Sequence, residues 1–234
     1  MPNRGTDSGG AWVLIPMLNE GSSIALVITD LRRHFDQILC VDDGSSDTSA
    51  AVAEAAGAVV LRHAVNLGQG AALQTGFDYL LRHTNASHVV TFDADGQHSA
   101  DDALRMFRVA VDRDMDVVLA SRFLGQVENI TRGRLLVLRA AVWFSRRFTG
   151  LDLTDTHNGL RTLSRRAFTA IQLRQPRMAY ASELESAVLR HHLTWVEEPT
   201  TVVYTDYSRG KGQRNINAVN IVFDLALHRL LRAS

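Results

Sequence analysis

The N-terminal half of the sequence alternates short β-branched apolar runs with longer amphipathic stretches, and this alternation constrains the fold more than any other feature. Such runs occupy residues 12–15, 38–41, 58–61, 88–92 and 117–121. The stretches between them, at 24–34, 48–56, 70–82 and 101–113, have the apolar spacing of helices. Strands separated by helices at this spacing predict βα units, which assemble into a mostly parallel sheet covered by helices on both faces. We therefore predict an α/β fold.

Beyond residue 122 the alternation ends. We predict an apolar segment at 135–148, a helix at 182–192, a strand at 196–204 and a long amphipathic helix at 216–232. No repeat, low-complexity tract or linker marks a second domain. The predicted organisation is a flexible N-terminus at 1–10, one domain at 11–214 with halves at 11–122 and 123–214, and a C-terminal amphipathic helix at 215–234.

Composition limits the partners and the compartment. Twenty-five basic and twenty-five acidic side chains give a formal net charge of zero, so no overall field attracts the chain to nucleic acid. Cys40 has no second cysteine to pair with, which fits a reducing compartment. The sequence contains neither an apolar signal segment nor an uncharged apolar run of about 20 residues that would span a bilayer. We expect a cytoplasmic protein that reaches a membrane only at its surface.

Polar clusters follow the first four predicted strands. They lie at residues 16–20, 42–45, 66–70 and 93–98. Open parallel sheets bind ligands beyond the carboxyl ends of their strands, where these clusters fall. The sequence therefore predicts one site built from four loops at one edge of the sheet.

The cluster after the fourth strand carries Asp93, Asp95 and Gln97 on alternate residues. Carboxylate and amide oxygens are the ligands that Mg²⁺ and Mn²⁺ prefer, and such a cation can bridge them to phosphate oxygens. A solvated acidic turn explains Asp-x-Asp equally well when the motif is taken alone.

Two other clusters have both functional and structural interpretations. Asp43 could accept hydrogen bonds from a base or a ribose, whereas Ser46 or Asp47 could simply cap the next helix. We predict a functional role for Asp43 and a structural one for Asp47. The run 66–70, ending at Gly70, is typical of a phosphate-binding loop that enters a helix, although small residues there could equally serve close packing.

Charged side chains in the second half supply further candidates. Arg161, Arg209, Lys211 and Arg214 could bind a diphosphate or an acceptor phosphate, with solvated loop cations as the alternative; we favour Lys211. Glu183 begins a predicted helix, where the helix dipole explains a carboxylate, and a role as general base is the less favoured interpretation.

The order of the motifs resembles that of family 2 glycosyltransferases. The motifs are IPMLNE, VDDGSSD, NLGQGAA, DADGQH and ASR, and they cover residues 11–122. Within that family the chain is similar to dolichol-phosphate mannose synthases and polyprenyl-phosphate glycosyltransferases. The resemblance implies a GT-A fold, a GDP- or UDP-sugar donor, Mg²⁺ or Mn²⁺, inversion at the anomeric carbon and a polyprenyl phosphate acceptor. It makes 11–122 the donor half and 123–214 the acceptor half.

Residue roles follow by position in the motifs. The resemblance implies that Pro16, Glu20 and Asp43 hold the nucleoside and that Arg122 lines the donor site. Asp93, Asp95 and Gln97 would surround the metal and the diphosphate. The full predicted set comprises Asp95, Arg122, Glu183 and Lys211 as catalytic residues; Pro16, Glu20, Asp43, Gly70, Asp93, Ala94, Asp95, Gln97, Arg122, Arg209 and Lys211 as donor-binding residues; and Asp93, Asp95 and Gln97 as metal ligands.

The sequence departs from the family pattern near the acceptor. Asn158 and Leu160 replace a serine and a phenylalanine, Leu18 stands where a tyrosine is common, and the Gly-x-Ser-Lys element is altered at 210–213. These departures leave a saccharide hydroxyl open as the acceptor, with Glu183 as its base.

Other interpretations also stay open. The chain could be a phosphohydrolase with Asp93 as nucleophile, or a nucleotide-sugar binding module without activity. Segments 135–148 and 216–232 could lie on a membrane, cover the core or form the contact of a homodimer.

Overall fold

A computed structural model describes residues 10–128, 142, 151–155, 158–174 and 180–203 of the chain. Apart from residue 142, the predicted apolar segment 135–148 lies outside the described residues, and so do the predicted helix 216–232 and the loop containing Arg209, Lys211 and Arg214. Among the helices that are described, none is long and apolar enough to cross a membrane.

Strands and helices alternate through the first half of the chain. In order, the elements are β1 (Ala11–Met17), α1 (Ile24–Leu31), β2 (Gln37–Asp42), α2 (Ser49–Ala55), β3 (Val59–Arg62), α3 (Gln69–His83), β4 (His88–Thr91), α4 (Ala100–Asp112), β5 (Val117–Glu128), β6 (Arg161–Ser164), α5 (Arg165–Ala170), α6 (Tyr180–Arg190) and β7 (Trp195–Val203).

The strands form one seven-stranded sheet in the order β3-β2-β1-β4-β6-β5-β7. All neighbouring pairs are parallel except those of β6, which runs antiparallel to both β4 and β5. The predicted mostly parallel α/β sheet is therefore confirmed. Because β1 to β4 are all parallel, the four loops that follow them emerge at one edge of the sheet, as predicted.

Helices cover both faces of the sheet and bury two apolar layers. One layer packs α1, α2 and α4 against the sheet, and the other packs α3, α5 and α6. Helix α3 lies so close to β1 that a Cβ built on Gly76 would come within 2.3 Å of Leu14 Cδ1. Phe77, next to this contact, is fully buried, and truncating such a side chain to alanine costs about 3–5 kcal/mol.

The second half differs from the sequence prediction in two respects. Strand β5 continues to Glu128 instead of ending at residue 121, with a shift of register against β7 between Ser121 and Gln126. Its polar and glycine residues hid this continuation, and Gly125 lies where a Cβ would come within 2.2 Å of the Thr200 carbonyl oxygen. Strand β6 and helix α5 were not predicted, because four and six residues are too few to show a period.

Candidate active site

Hydrogen bonds join the loops that follow β1 and β2. The Asn19 N–H donates to Ser45 Oγ at 2.9 Å, and the Ser46 N–H donates to Asn19 Oδ1 at 2.9 Å. The Glu20 N–H donates to Ser49 Oγ at 2.7 Å. Asn19 adopts a φ of 54°, a conformation in which asparagine is enriched. The two loops therefore form one structural unit at the predicted nucleoside end of the site.

Asp47 has the structural role that the sequence predicted. Its carboxylate accepts the N–H of Ser49 in the first turn of α2 at 2.9 Å and the N–H of Gly21 at 3.1 Å. Pro16 lies half-buried within β1, opposite Val41 of β2, so it shapes the strand that leads to this unit.

Asp43 is buried directly after β2, and its carboxylate forms hydrogen bonds with other groups of the protein. Oδ1 accepts the N–H of Leu67 at 2.9 Å and Oδ2 accepts the N–H of Gly68 at 2.7 Å. His63 Nδ1 lies 2.7 Å from Oδ1. Asp43 thus fixes the loop at residues 66–70, which we call the glycine-rich loop. Its predicted contact with a nucleoside stays a prediction.

The glycine-rich loop connects the Asp43 carboxylate to the acidic cluster, which comprises Asp93, Asp95 and Gln97. Gly68 adopts a φ of 97°, which favours glycine, and α3 begins at the next residue. Gln69 Nε2 donates to Asp93 Oδ1 at 3.3 Å, and Gly70 is buried in the first turn of the helix. Both interpretations of the loop are thus compatible with its geometry, since it packs closely and also reaches the predicted metal ligands.

Cationic groups surround Asp93. Burial raises the pKa of its carboxyl, but the hydrogen bond with His98 and the charges of Arg161 and Arg122 outweigh that effect and leave the pKa below its usual value. Its carboxylate also lies directly against Gly159, where a Cβ would come within 2.1 Å of Oδ2. Asp93 is therefore held ionised in a space that only glycine leaves open.

Asp95 experiences the opposite electrostatic environment. Burial and the neighbouring Asp93 carboxylate, with a smaller contribution from Glu20, raise the pKa of Asp95 to about 6. Gln97 opposes this shift through its N–H, which donates to Asp95 Oδ1 at 3.1 Å, and its Nε2 donates to Oδ2 at 2.6 Å. Ala94, between the two aspartates, is buried in the core. The site thus places two carboxyl groups one residue apart, with the pKa of one lowered and that of the other raised.

This pair of carboxyl groups fits a divalent cation. Within the described part of the chain no three His, Cys, Asp or Glu side chains form a group that could hold a metal. Mg²⁺ is commonly bound through one or two carboxylates together with phosphate oxygens and water, a set for which Asp93 and Asp95 suffice. Since the nitrogen of the Gln97 amide bonds to Asp95, its oxygen is available as a further ligand. Nδ1 of His98, buried beside Asp93, has no hydrogen-bond partner among the described residues.

Arg122 forms a buried ion pair at the other side of the cluster. Its Nε donates to Asp155 Oδ2 at 2.6 Å, and its backbone N–H donates to the same oxygen at 3.1 Å. Asn158 Nδ2 lies 3.5 Å from this oxygen, and the Asn158 side-chain oxygen accepts the Leu160 N–H at 3.1 Å. The residues that depart from the family pattern, Asn158 and Leu160, are thus buried and have structural contacts beside Arg122 and Asp155.

Arg161 and Tyr180 complete the described part of the site. Arg161 lies at the start of β6 and is buried, whereas the sequence placed it in a flexible loop. Its guanidinium lies 5.3 Å from the centre of the Tyr180 ring, and Nη1 is buried without a hydrogen bond to any described residue. The pKa of the Tyr180 hydroxyl is raised, mainly by burial, so this hydroxyl stays a hydrogen-bond donor at neutral pH.

Sequence reasoning missed His63, His98 and Tyr180. His63 was not singled out because it belongs to no motif, and only its contacts with Asp43 and Thr75 reveal it. His98 follows the acidic motif directly, so its position was the available signal.

Glu183 has the structural surroundings that its position predicted. It lies in the first turn of α6, and its Oε2 accepts the backbone N–H of Arg174 at 2.7 Å. Its proposed role as a general base stays untested. Arg209 and Lys211 lie outside the described residues.

Comparisons with known proteins agree with this geometry. The family model of glycosyl transferase family 2 matches residues 12–171. The chain is 30% identical over 226 residues to an uncharacterised protein of Methanocaldococcus jannaschii, covering 94% of this chain and 92% of that one. It is 27% identical over 241 residues to the UDP-N-acetylglucosamine–dolichyl-phosphate N-acetylglucosaminyltransferase of Methanococcus voltae, covering 94% and 96%. It is 33% identical over 171 residues to the polyprenol monophosphomannose synthase of Mycolicibacterium smegmatis, covering 69% and 64%.

Solved structures share the fold. Glucosyl-3-phosphoglycerate synthase from Mycobacterium tuberculosis, in complex with Mn²⁺, UDP-glucose and phosphoglyceric acid, superimposes with a TM-score of 0.62 at 21% identity, covering 82% of this chain and 70% of that one. The same enzyme with Mg²⁺ and UDP gives a TM-score of 0.68 at 18% identity, covering 91% and 76%. The predicted GT-A architecture is confirmed by this likeness.

Proposed function

The chain belongs to glycosyl transferase family 2, and from that premise we propose that it moves a hexose from a nucleoside-diphosphate sugar to a polyprenyl phosphate. The observation that carries this proposal is the contact of Gln69 Nε2 with Asp93 Oδ1 at 3.3 Å. This contact joins the glycine-rich loop to the acidic cluster, so the loop suited to a diphosphate and the carboxylates suited to a cation lie side by side.

The donor site in this proposal extends along the carboxyl edge of β1, β2 and β4. Pro16, Glu20 and Asp43 frame its nucleoside end, while Asp93 and Asp95 face the diphosphate. Two observations support a nucleotide-sugar donor. The relative from Methanococcus voltae is named as acting with UDP-N-acetylglucosamine, and the enzyme of shared fold was crystallised with UDP-glucose. A comparison of UDP- and GDP-sugars distinguishes uridine from guanosine as the base of the donor.

A divalent cation, Mg²⁺ or Mn²⁺, belongs to the proposed reaction. When bound by Asp93, Asp95 and the Gln97 oxygen, it would neutralise negative charge on the diphosphate leaving group. The protein's own contribution is to hold Asp93 ionised between Arg122, Arg161 and His98. The mycobacterial enzyme of shared fold was crystallised with each of these cations, which supports the assignment.

We propose a phosphate acceptor, because Glu183, the candidate general base for a hydroxyl acceptor, has a structural contact that explains its position. Glu183 Oε2 accepts the backbone N–H of Arg174, a contact that explains this carboxylate without catalysis. A phosphate monoester arrives as an anion and attacks without losing a proton. Two of the relatives are named as dolichyl-phosphate and polyprenol enzymes. A polyprenyl acceptor also implies work at a membrane surface, which we include in the proposal together with acceptor binding by Arg209 and Lys211.

The proposed reaction breaks one bond and forms one. An oxygen of the acceptor phosphate bonds to the anomeric carbon from the face opposite the diphosphate, and the bond between that carbon and the diphosphate oxygen breaks. The electron pair leaves with the nucleoside diphosphate, so the product is an inverted polyprenyl phosphate sugar. Arg122, fixed by Asp155, lines the side of the site where this charge develops.

The test is a turnover assay on the purified full chain with UDP- and GDP-sugars. Polyprenyl phosphates and oligosaccharides serve as competing acceptors, with Mg²⁺, Mn²⁺ or EDTA. We expect sugar transfer to the lipid phosphate, loss of activity in EDTA and loss of activity in Asp95→Ala. The control is Asp112→Ala, which removes an exposed carboxylate at the end of α4.

Three results would contradict the proposal. Transfer to oligosaccharides that is abolished by Glu183→Gln would favour the hydroxyl acceptor. Hydrolysis with a trapped aspartyl phosphate at Asp93 would indicate a phosphohydrolase. Donor binding without turnover for any acceptor would indicate a binding module.

A further inference from the structure

A chain of hydrogen bonds runs from the end of β2 to helix α3 through a histidine that the sequence did not single out. His63 Nδ1 lies 2.7 Å from Asp43 Oδ1, and His63 Nε2 lies 2.9 Å from Thr75 Oγ1. The His63 side chain is 10% exposed and that of Asp43 is 5% exposed, so solvent competes little for either contact. Because a carboxylate only accepts hydrogen bonds, Nδ1 carries the proton of the first contact.

The glycine-rich loop depends on the same carboxylate. The N–H groups of Leu67 and Gly68 donate to the two oxygens of Asp43, at 2.9 and 2.7 Å. Hydrogen bonds to a charged acceptor are about twice as strong as neutral ones. The turn after Asp43 presses on the same segment, since Gly44 has a φ of 80° and a Cβ there would come within 2.8 Å of the Val65 carbonyl carbon. Asp43 therefore sets the path of the chain from residue 65 to residue 68.

The loop transmits this position to the acidic cluster. Gln69 follows Gly68 directly, begins α3 and donates to Asp93 Oδ1 at 3.3 Å. Thr75 lies on the same helix, so His63 holds α3 from one side while the loop enters it from the other. A shift of Asp43 would thus move the loop, the start of the helix and the amide that contacts Asp93.

We propose that His63 is a positioning residue of the donor site: it fixes Asp43 to the 66–69 loop and thereby holds Gln69 against Asp93. This inference rests on the proposed function for its catalytic consequence. It assigns Asp43 a role that acts through the loop, because each of its oxygens accepts a backbone N–H of that loop. His63 does not itself touch the donor.

The geometry distinguishes the two contacts of the ring. In His63→Asn the amide nitrogen takes the place of Nδ1 and retains the hydrogen bond to Asp43. In His63→Gln it takes the place of Nε2 and donates to Thr75 Oγ1, which reverses the bond that this hydroxyl donates to the ring. His63→Ala loses both. The matched control is His34→Ala, which removes the His34–Asp101 pair, at 2.6 Å, from the surface near α4.

The experiment has two readouts on the full chain. Hydrogen exchange of the peptide containing residues 66–69, measured by mass spectrometry without donor, reports the loop itself. The KM for the sugar nucleotide and the kcat, measured with Mn²⁺, report its consequence. In His63→Ala we expect faster exchange and a KM raised about tenfold with kcat nearly unchanged, the effect of losing one hydrogen bond to a charged group. His63→Asn restores both values, whereas His63→Gln and the alanine variant behave alike.

Several outcomes overturn the proposal. Unchanged exchange in His63→Ala shows that the loop does not depend on the ring. Faster exchange with an unchanged KM shows that the loop position does not matter for the donor. Restoration by His63→Gln instead of His63→Asn assigns the effect to Thr75. If the wild-type chain turns over no sugar nucleotide, the proposed function fails, and exchange alone still decides whether His63 fixes the loop.

Discussion

The two aspartates of the acidic cluster should affect stability in opposite directions, although only one residue separates them. The pKa of Asp95 is raised from its usual 3.8 to about 6 by burial and by the Asp93 carboxylate. The pKa of Asp93 is lowered, because His98, Arg161 and Arg122 outweigh burial. Replacing each with asparagine, in EDTA and at pH 7.5, separates the two effects.

The sign follows from proton linkage. Between about pH 4 and 6 folded Asp95 holds a proton that the unfolded chain has lost, so stability falls as the pH rises through this window. A shift of about two units corresponds to about 3 kcal/mol of destabilisation above pH 6. Asparagine removes this penalty but weakens one of the two Gln97 hydrogen bonds, at a cost of about 1 kcal/mol. The net gain of about 2 kcal/mol raises the Tm by roughly 6 °C.

Asp93 provides the opposite case. Its lowered pKa means that the ionised form contributes stability above pH 4, which is lost as the pH falls through the folded value. We therefore expect Asp93→Asn to melt below the wild type at pH 7.5, whereas Asp95→Asn melts above it. Differential scanning calorimetry from pH 4.5 to 7.5 measures both. An Asp95→Asn variant that melts lower than the wild type in EDTA at pH 7.5 would refute the electrostatic argument.

Two substitutions test how the second half of the chain supports the cluster. Gly159→Ala places a Cβ within 2.1 Å of Asp93 Oδ2, so we expect at least tenfold more Mn²⁺ to be needed for the same rise in Tm, while the α-helical circular dichroism is retained. An unchanged Mn²⁺ dependence of the Tm would contradict the close packing. Asp155→Ala leaves the buried Arg122 without its carboxylate, and we expect a loss of about 3 kcal/mol in urea unfolding; a loss below about 1 kcal/mol would show that solvent compensates the guanidinium.

The first half of the fold could be predicted from the sequence because its strands and helices are long enough to show their periods. The four polar clusters were placed correctly at one edge, since parallel β1 to β4 leave no other arrangement. In the second half, β6 was missed because four residues, one of them the charged Arg161, carry no period. Burial of Arg161 depends on Tyr180 and Asp93, contacts made across large separations in the sequence.

The site was predicted in part for the same physical reason. Local motifs indicated Asp93, Asp95 and Gln97, and the prediction that Asp47 is structural is confirmed by its hydrogen bond to Ser49. What the motifs could not show is which partner a carboxylate selects. Asp42 and Asp43 are adjacent, yet Asp43 accepts the N–H groups of Leu67 and Gly68 in the glycine-rich loop, whereas Asp42 accepts the N–H of Ser45 in its own turn.

The direction of strand β6 determines which residues of the second half lie beside the acidic cluster. Because β6 runs antiparallel to β4 and β5, it begins at the edge where β4 ends, and the residues directly before it lie beside the acidic cluster. Asp155, Asn158 and Gly159 belong to this segment. Leu151 and Leu153 anchor the start of this segment in one apolar layer, so a change of sequence between 155 and 159 would act on Asp93 and Arg122 directly and leave that anchor in place.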